Sequence, residues 1–112
     1  TRFKVTWGRE SKIFDAAQLK QGVNLAAEFM DNPFAETFAS VDKAVREQQA
    51  WEGPAVNNFL HNLPEWDRLL PEEKASLDRL KTATVQKADA FGQAARAAVV
   101  PVKYAIKIEP AN

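Results

Sequence analysis

The sequence predicts an α+β domain in which three main helices pack on a small antiparallel sheet. Three observations support this prediction. Both ends of the chain alternate between apolar and polar residues, which is typical of half-buried strands. The middle part instead repeats its apolar residues at helical spacing. With two strands at the start and one at the end, we expect the terminal strands to share one sheet, covered by helices on one face.

The N-terminal strands are expected to form a β-hairpin over residues 1–14. Phe3, Val5 and Trp7 fall on one face of the first strand, and polar side chains alternate with them. The segment Gly8-Arg9-Glu10-Ser11 has turn composition, and an extended pattern resumes at residues 12–14.

A short helical turn and an irregular connector are expected next. Asp15 is a suitable N-cap for a helical turn over Ala16–Lys20. Gly22 would end that turn in the left-handed conformation that glycine adopts at low cost. Residues 23–31 show no periodicity and predict an irregular connector.

Three helices and a final strand follow. Asn32-Pro33 predicts a helix start, and Gly53-Pro54 its stop. A shorter helix is expected over Pro54–Leu63, and the longest over Pro71–Ala98. Large apolar residues at every second position then predict a strand over Val102–Ile108. The apolar stripes of the first and third helices are Phe34, Phe38, Val41, Val45 and Trp51, and Leu77, Leu80, Thr84, Ala88, Phe91 and Ala95.

The composition indicates one small domain, residues 1–112, and excludes several function classes. Fifteen basic and 15 acidic residues give a net charge of zero, which disfavours nucleic-acid binding. The chain has no cysteine, so disulfides, zinc thiolates and thiol nucleophiles are excluded. No apolar run is long enough to cross a membrane. Because the chain opens at Thr1 inside a strand pattern, we expect it to be part of a longer parent.

Neither catalysis nor a cofactor is expected of this chain. His61 is its only histidine, so a general base or a metal site would have to include it. Ser11, Ser40 and Ser76 lack the strained glycine elbow of a nucleophile. Acidic residues alternate with lysines and arginines as on a solvated helix surface. The preferred interpretation is therefore a surface histidine and no catalytic or metal residues.

The aromatic residues offer one candidate ligand or interface surface. Trp66 stands between two acids and is expected to face solvent, whereas Trp51 ends an apolar helix stripe. Trp66, Trp51 and His61 are the candidate residues of this surface. Core packing of at least two of these aromatic residues is nevertheless the preferred interpretation, and Trp7 and Tyr104 are expected on the apolar faces of their strands.

The order of elements and one motif resemble the region that follows the catalytic domain in bacterial SGNH (GDSL-type) hydrolases. The motif is Gly22-Val23-Asn24-Leu25-Ala26, within Gln18–Ala26. The turn at Thr6–Arg9 and the closing Pro101–Pro110 strand also resemble that region. The resemblance covers most of the chain.

The resemblance implies a non-catalytic C-terminal accessory domain of a serine ester hydrolase. The catalytic blocks of these hydrolases, Gly-Asp-Ser, Gly-x-Asn-Asp and Asp-x-x-His, are missing here, so no catalytic residue carries over. Gly22-Val23-Asn24 is similar to the start of the second block, but Leu25 replaces its aspartate. The implied partner is the catalytic domain of the same parent chain, and the implied location is periplasmic or secreted.

Two alternatives from other classes stay open. The first is a free-standing module that binds carbohydrate or another polymer, which requires exposed aromatic rings. The second is a small interaction protein that forms a homodimer by pairing a sheet edge at residues 3–7 or 102–108.

Overall fold

A three-stranded antiparallel sheet joins the two ends of the chain in a computed structural model that describes residues 1–112. Its strands are β1 (Arg2–Trp7), β2 (Glu10–Asp15) and β3 (Ile106–Ala111), in the order β2-β1-β3. The hairpin, the sheet shared between the chain ends and the α+β class are thus confirmed.

The chain divides into two compact units. The first contains residues 1–39 and 100–112, and the second contains residues 40–99. The sheet belongs to the first unit, whereas the second unit is helical.

The last strand begins and ends later than predicted. Trp7, the final residue of β1, pairs with Ile106, so residues 102–105 have no strand to pair with. At the other end Arg2 pairs with Ala111, which extends β3 three residues beyond Ile108. The pairing partner, which the alternation of apolar residues does not reveal, fixes these bounds.

The two faces of the sheet differ in character. Directly opposed residues of an antiparallel ladder share a face. Val5 opposes Ile108, and Trp7 opposes Ile106, so both isoleucines lie on the face that carries the core. On the other face Thr6 Oγ1 and Ser11 Oγ form a 2.7 Å hydrogen bond, which is typical of a solvated side.

The core lies against β1 and β2. Its buried residues are Val5, Trp7, Phe14 and Phe29, and Phe29 is completely buried. Leu19, Val23 and Leu25 pack against this group from the segment that follows β2.

That segment contains two short helices. Helix α1 (Ala16–Gln21) begins with a capping box, in which the backbone N–H of Gln18 donates to Asp15 Oδ1 at 2.7 Å. Gly22 follows with a φ of 97°. The connector is not irregular throughout, since α2 (Leu25–Glu28) forms within it. Asn24 caps α2 by accepting from the Ala27 N–H, a signal that the sequence prediction missed.

The predicted helix stop at Gly53-Pro54 is wrong. Helix α3 (Ala35–Pro54) includes both residues, and the backbone continues as a π-helical segment, Ala55–Phe59, and a 3-10 segment, Leu60–Asn62. A proline inside a helix disrupts one backbone hydrogen bond, and non-α turns accommodate that loss without ending the helical path. The short α-helix predicted there is therefore absent.

Two further helices complete the second unit. Helix α4 (Leu63–Leu69) is not among the predicted helices, and Pro64 occupies its first turn, where proline is tolerated. A 3-10 turn, Pro71–Glu73, leads into α5 (Lys74–Ala97), which confirms the predicted long helix. No side chain of α4 or α5 is buried. None of the helices combines the length and apolarity needed to cross a membrane.

Candidate functional site: a groove beside Tyr104

The three residues predicted to form a ligand surface lie on three different elements of the second unit. Trp51 is on α3, His61 is in the 3-10 segment and Trp66 is on α4. Trp66 is 46% exposed, as predicted. Trp51 is half-buried: its ring centroid lies 5.3 Å from that of Phe91, and Lys87 Nζ lies 5.6 Å from its ring. Trp51 thus packs against other residues of the unit, and Trp66 is the more exposed of the two tryptophans.

His61 lies apart from Ser11 and Ser76 in the contacts that the structure gives these residues. His61 is exposed, and no group of three or more histidine, cysteine or acidic residues is placed to hold a metal ion. Ser11 bonds Thr6 across the hairpin, and the Ser76 hydroxyl donates to Glu73 at 2.9 Å. These contacts give both serines structural partners.

Several acidic residues of the helices pair with basic residues three or four positions away. Arg46 Nε lies 2.7 Å from Asp42 on α3, and Lys74 Nζ lies 3.5 Å from Asp78 on α5. On α4, the hydrogen bond from Arg68 lowers the pKa of Glu65. All of these pairs are exposed, which is typical of the solvated surface of a helix.

An aromatic cluster surrounds Trp7 in the first unit. Trp7 lies edge-on to three rings, with centroid distances of 6.1 Å to Phe29, 6.0 Å to Phe34 and 6.0 Å to Tyr104. Phe34 and Tyr104 also contact each other at 5.1 Å. The buried indole N–H of Trp7 has no hydrogen-bond acceptor, so packing alone holds the ring. Tyr104 is 53% exposed and precedes β3, which begins at Ile106, so the expectation that it lies on the apolar face of a strand is wrong.

A groove of about 570 Å³ runs beside Tyr104. We call it the Tyr104 groove. Its walls are the hairpin turn at Gly8 and Arg9, the connector residues 31–33 with Glu36, and the segment 103–105. All of these residues belong to the first unit.

The charged side chains of the groove balance. Arg9 and Lys103 are basic, and Asp31 and Glu36 are acidic. The Arg9 guanidinium lies 3.5 Å from Asp31 Oδ1, with 87% and 50% of the two side chains exposed. The groove therefore presents donors and acceptors without an excess of either charge.

Backbone geometry fixes the walls of the groove. Gly8 has a φ of 67°, and a Cβ atom there would lie 3.1 Å from Pro33 Cδ. Glycine thus permits the turn to lie against the connector. Asn32 fixes the connector itself, because its carboxamide donates to the Phe29 carbonyl and accepts from the Phe34 N–H.

Reasoning from the sequence did not find this groove. Its residues come from three segments that are far apart in the chain, and only the β1–β3 pairing brings residues 103–105 close to the hairpin turn. Gly8 in the hairpin turn is the one residue of the groove that a local sequence pattern singles out. Comparison with known proteins adds no assignment, since no protein family, no curated protein and no solved structure matches this chain.

Proposed function

We propose that this chain is a non-catalytic accessory domain that packs against the catalytic domain of an SGNH-type ester hydrolase. The observation that carries the proposal is the half-covered core face of the sheet. Ile106 and Ile108 lie on that face but are 42% and 56% exposed. The residues that bury Val5 and Phe14 leave the β3 side of the face open.

An open apolar strip beside a buried core supports docking on another domain. Exposed isoleucines on a core face stabilise nothing until apolar surface covers them. A neighbouring catalytic domain would supply that cover permanently. The small core, with four buried residues, agrees with a unit that is completed by a partner.

The motif that carries the resemblance has a structural role in this fold. Gly22 follows the last residue of α1, and Asn24 caps α2. Val23 and Leu25 pack against the core. The motif residues thus cap helices and pack the core, and none of these contacts requires a catalytic role. This supports an accessory domain over an enzyme.

The first test is the reading frame upstream of Thr1 in the source DNA. We expect a Gly-Asp-Ser block followed by an Asp-x-x-His pair. A start codon close to Thr1 would refute the proposal, and the homodimer paired through a sheet edge would then be tested by light scattering.

The second test uses two matched variants of the parent enzyme. Ile108→Asp places a charge on the open core face, whereas Ile13→Asp places it on the solvated face at 49% exposure. We expect Ile108→Asp to lower the temperature at which ester hydrolysis is lost, and Ile13→Asp to leave it nearly unchanged. Equal effects of the two substitutions would contradict docking through β3.

A further inference from the structure

We propose that the Tyr104 groove is a binding site for an uncharged oligosaccharide. This inference concerns a different surface from the docking strip and does not depend on the reaction of a parent enzyme. It rests on the exposure of Tyr104, the polar side chains around it, their charge balance and the rigidity of the walls.

Tyr104 has the properties of a stacking platform. Its two ring neighbours, Trp7 and Phe34, meet it at interplanar angles of 67° and 64°. Neither stacks flat on it, and 53% of the residue stays exposed. The C–H groups of a pyranose ring carry partial positive charge and are attracted to the negative face of an aromatic ring.

The polar groups beside Tyr104 match sugar hydroxyls. A hydroxyl both donates and accepts, and the Arg9–Asp31 pair offers donors next to acceptors, 3.5 Å apart. Arg9 is already paired with a carboxylate, which weakens its attraction for phosphate or sulfate. With Lys103 and Glu36 also opposite in sign, the groove favours an uncharged polyol over an ion.

The size and rigidity of the groove also fit such a ligand. Its volume of about 570 Å³ lies within the range of roughly 300–1,000 Å³ that is common for small-molecule sites. The close approach of the Gly8 turn to Pro33, which leaves little room for a Cβ atom, and the hydrogen bonds of Asn32 shape two of its walls in the ligand-free chain. A preformed site loses less conformational entropy on binding.

The test is an NMR titration of the chain with cellotetraose, xylotetraose and mannotetraose, and with trigalacturonate as an anionic comparison. We expect at least one uncharged tetrasaccharide to shift the backbone amides of Gly8, Arg9 and Ala105 in a saturable way. Binding of trigalacturonate alone, or no saturable shift with any uncharged sugar, would overturn the proposal.

Four variants separate stacking from other contributions. Tyr104→Ala should weaken binding by about tenfold or more, and Tyr104→Phe by less than about threefold, because it keeps the ring. Arg9→Ala, at a turn residue whose side chain is 87% exposed, should weaken binding several-fold without affecting the fold. If Tyr104→Ala does not fold, the affinity of Arg9→Ala tests the proposal in its place. Trp66→Ala should leave the affinity unchanged, and a loss there that equals or exceeds the loss in Arg9→Ala would place binding on the helical unit instead.

Discussion

Val5 and Ile108 lie directly opposite each other in the β1–β3 ladder, yet Val5 is 2% exposed and Ile108 is 56% exposed. Their side chains share one face of the sheet, so the difference arises from what covers that face. Phe29, Leu19 and the other packing residues cover the β1–β2 side. The edge of the core thus lies between β1 and β3, so that Val5 is inside the core and its paired residue Ile108 is outside it.

This boundary can be tested with the same substitution at both positions. Val5→Thr places a hydroxyl without a partner in the core, and we expect it to lower the free energy of unfolding by about 1–3 kcal/mol. Ile108→Thr keeps a β-branched residue at an exposed position and should change it by less than about 0.5 kcal/mol. Urea unfolding of the chain measures both. Similar losses would mean that the β3 side is covered in solution.

Phe29 should be the side chain on which the first unit depends most. It is fully buried and contacts Trp7 edge-on. Phe29→Ala should therefore cost about 3–5 kcal/mol, because it removes a large apolar group and leaves a cavity. Phe38, which is 73% exposed, is the matched control, and Phe38→Ala should cost less than about 0.5 kcal/mol. Near-ultraviolet circular dichroism, to which Trp7 contributes, reports the loss of packing, and equal effects would refute this account of the core.

The sequence predicts elements well where one local pattern decides them. The hairpin, the Asp15 cap and the long last helix follow from alternation, capping and periodicity. The errors occur where a pairing partner far away in the sequence, or a proline, determines where an element ends or which type of helix forms. The start of β3 depends on the end of β1, and Pro54 alters the type of helix without ending the helical path.

The candidate site was less predictable than the fold. Trp66 was correctly expected to be exposed, because charged neighbours on both sides indicate a surface position. Tyr104 follows the same alternation as Ile106, and alternation assigns a face without saying what covers it. The exposure of Tyr104, which precedes β3, therefore depends on where that strand begins, and only the tertiary structure shows this.

Two glycines should respond in opposite ways to alanine. Gly8→Ala should destabilise the chain by about 1–2 kcal/mol, because the residue has a φ of 67° and its new Cβ would press on Pro33. Gly92 lies within α5, where a Cβ would make only an ordinary contact of 3.6 Å with the end of the Arg96 side chain, so Gly92→Ala should stabilise by about 0.5–1 kcal/mol. Urea unfolding followed by far-ultraviolet circular dichroism compares the two. A stabilising Gly8→Ala would contradict the positive φ of the turn.

Hydrogen exchange should separate the two units. The amides of β1 lie in the central strand, between two partners and against the core, so they should exchange most slowly. The helices α4 and α5 bury no side chain, and their amides should exchange through local opening at lower free energy. Exchange detected by mass spectrometry resolves these segments. Protection in α5 equal to that in β1 would show that the helical unit has a packing partner in solution.

The pair formed by Lys107 and Glu109 on β3 should make a small contribution that depends on pH. Lys107 Nζ lies 2.8 Å from Glu109 Oε1, and this hydrogen bond, with the nearby charge of Lys4, lowers the pKa of Glu109. A carboxyl group with a lowered folded-state pKa stabilises the fold above its ordinary pKa, and that contribution is lost as the pH falls through the lowered value. An NMR titration of Glu109 should therefore show its pKa below the ordinary range and a return toward it in Lys107→Met. Lys103→Met, which removes a lysine outside the pair, is the control and should leave the Glu109 pKa unchanged. If Lys107→Met also leaves it unchanged, the ion pair does not persist in solution.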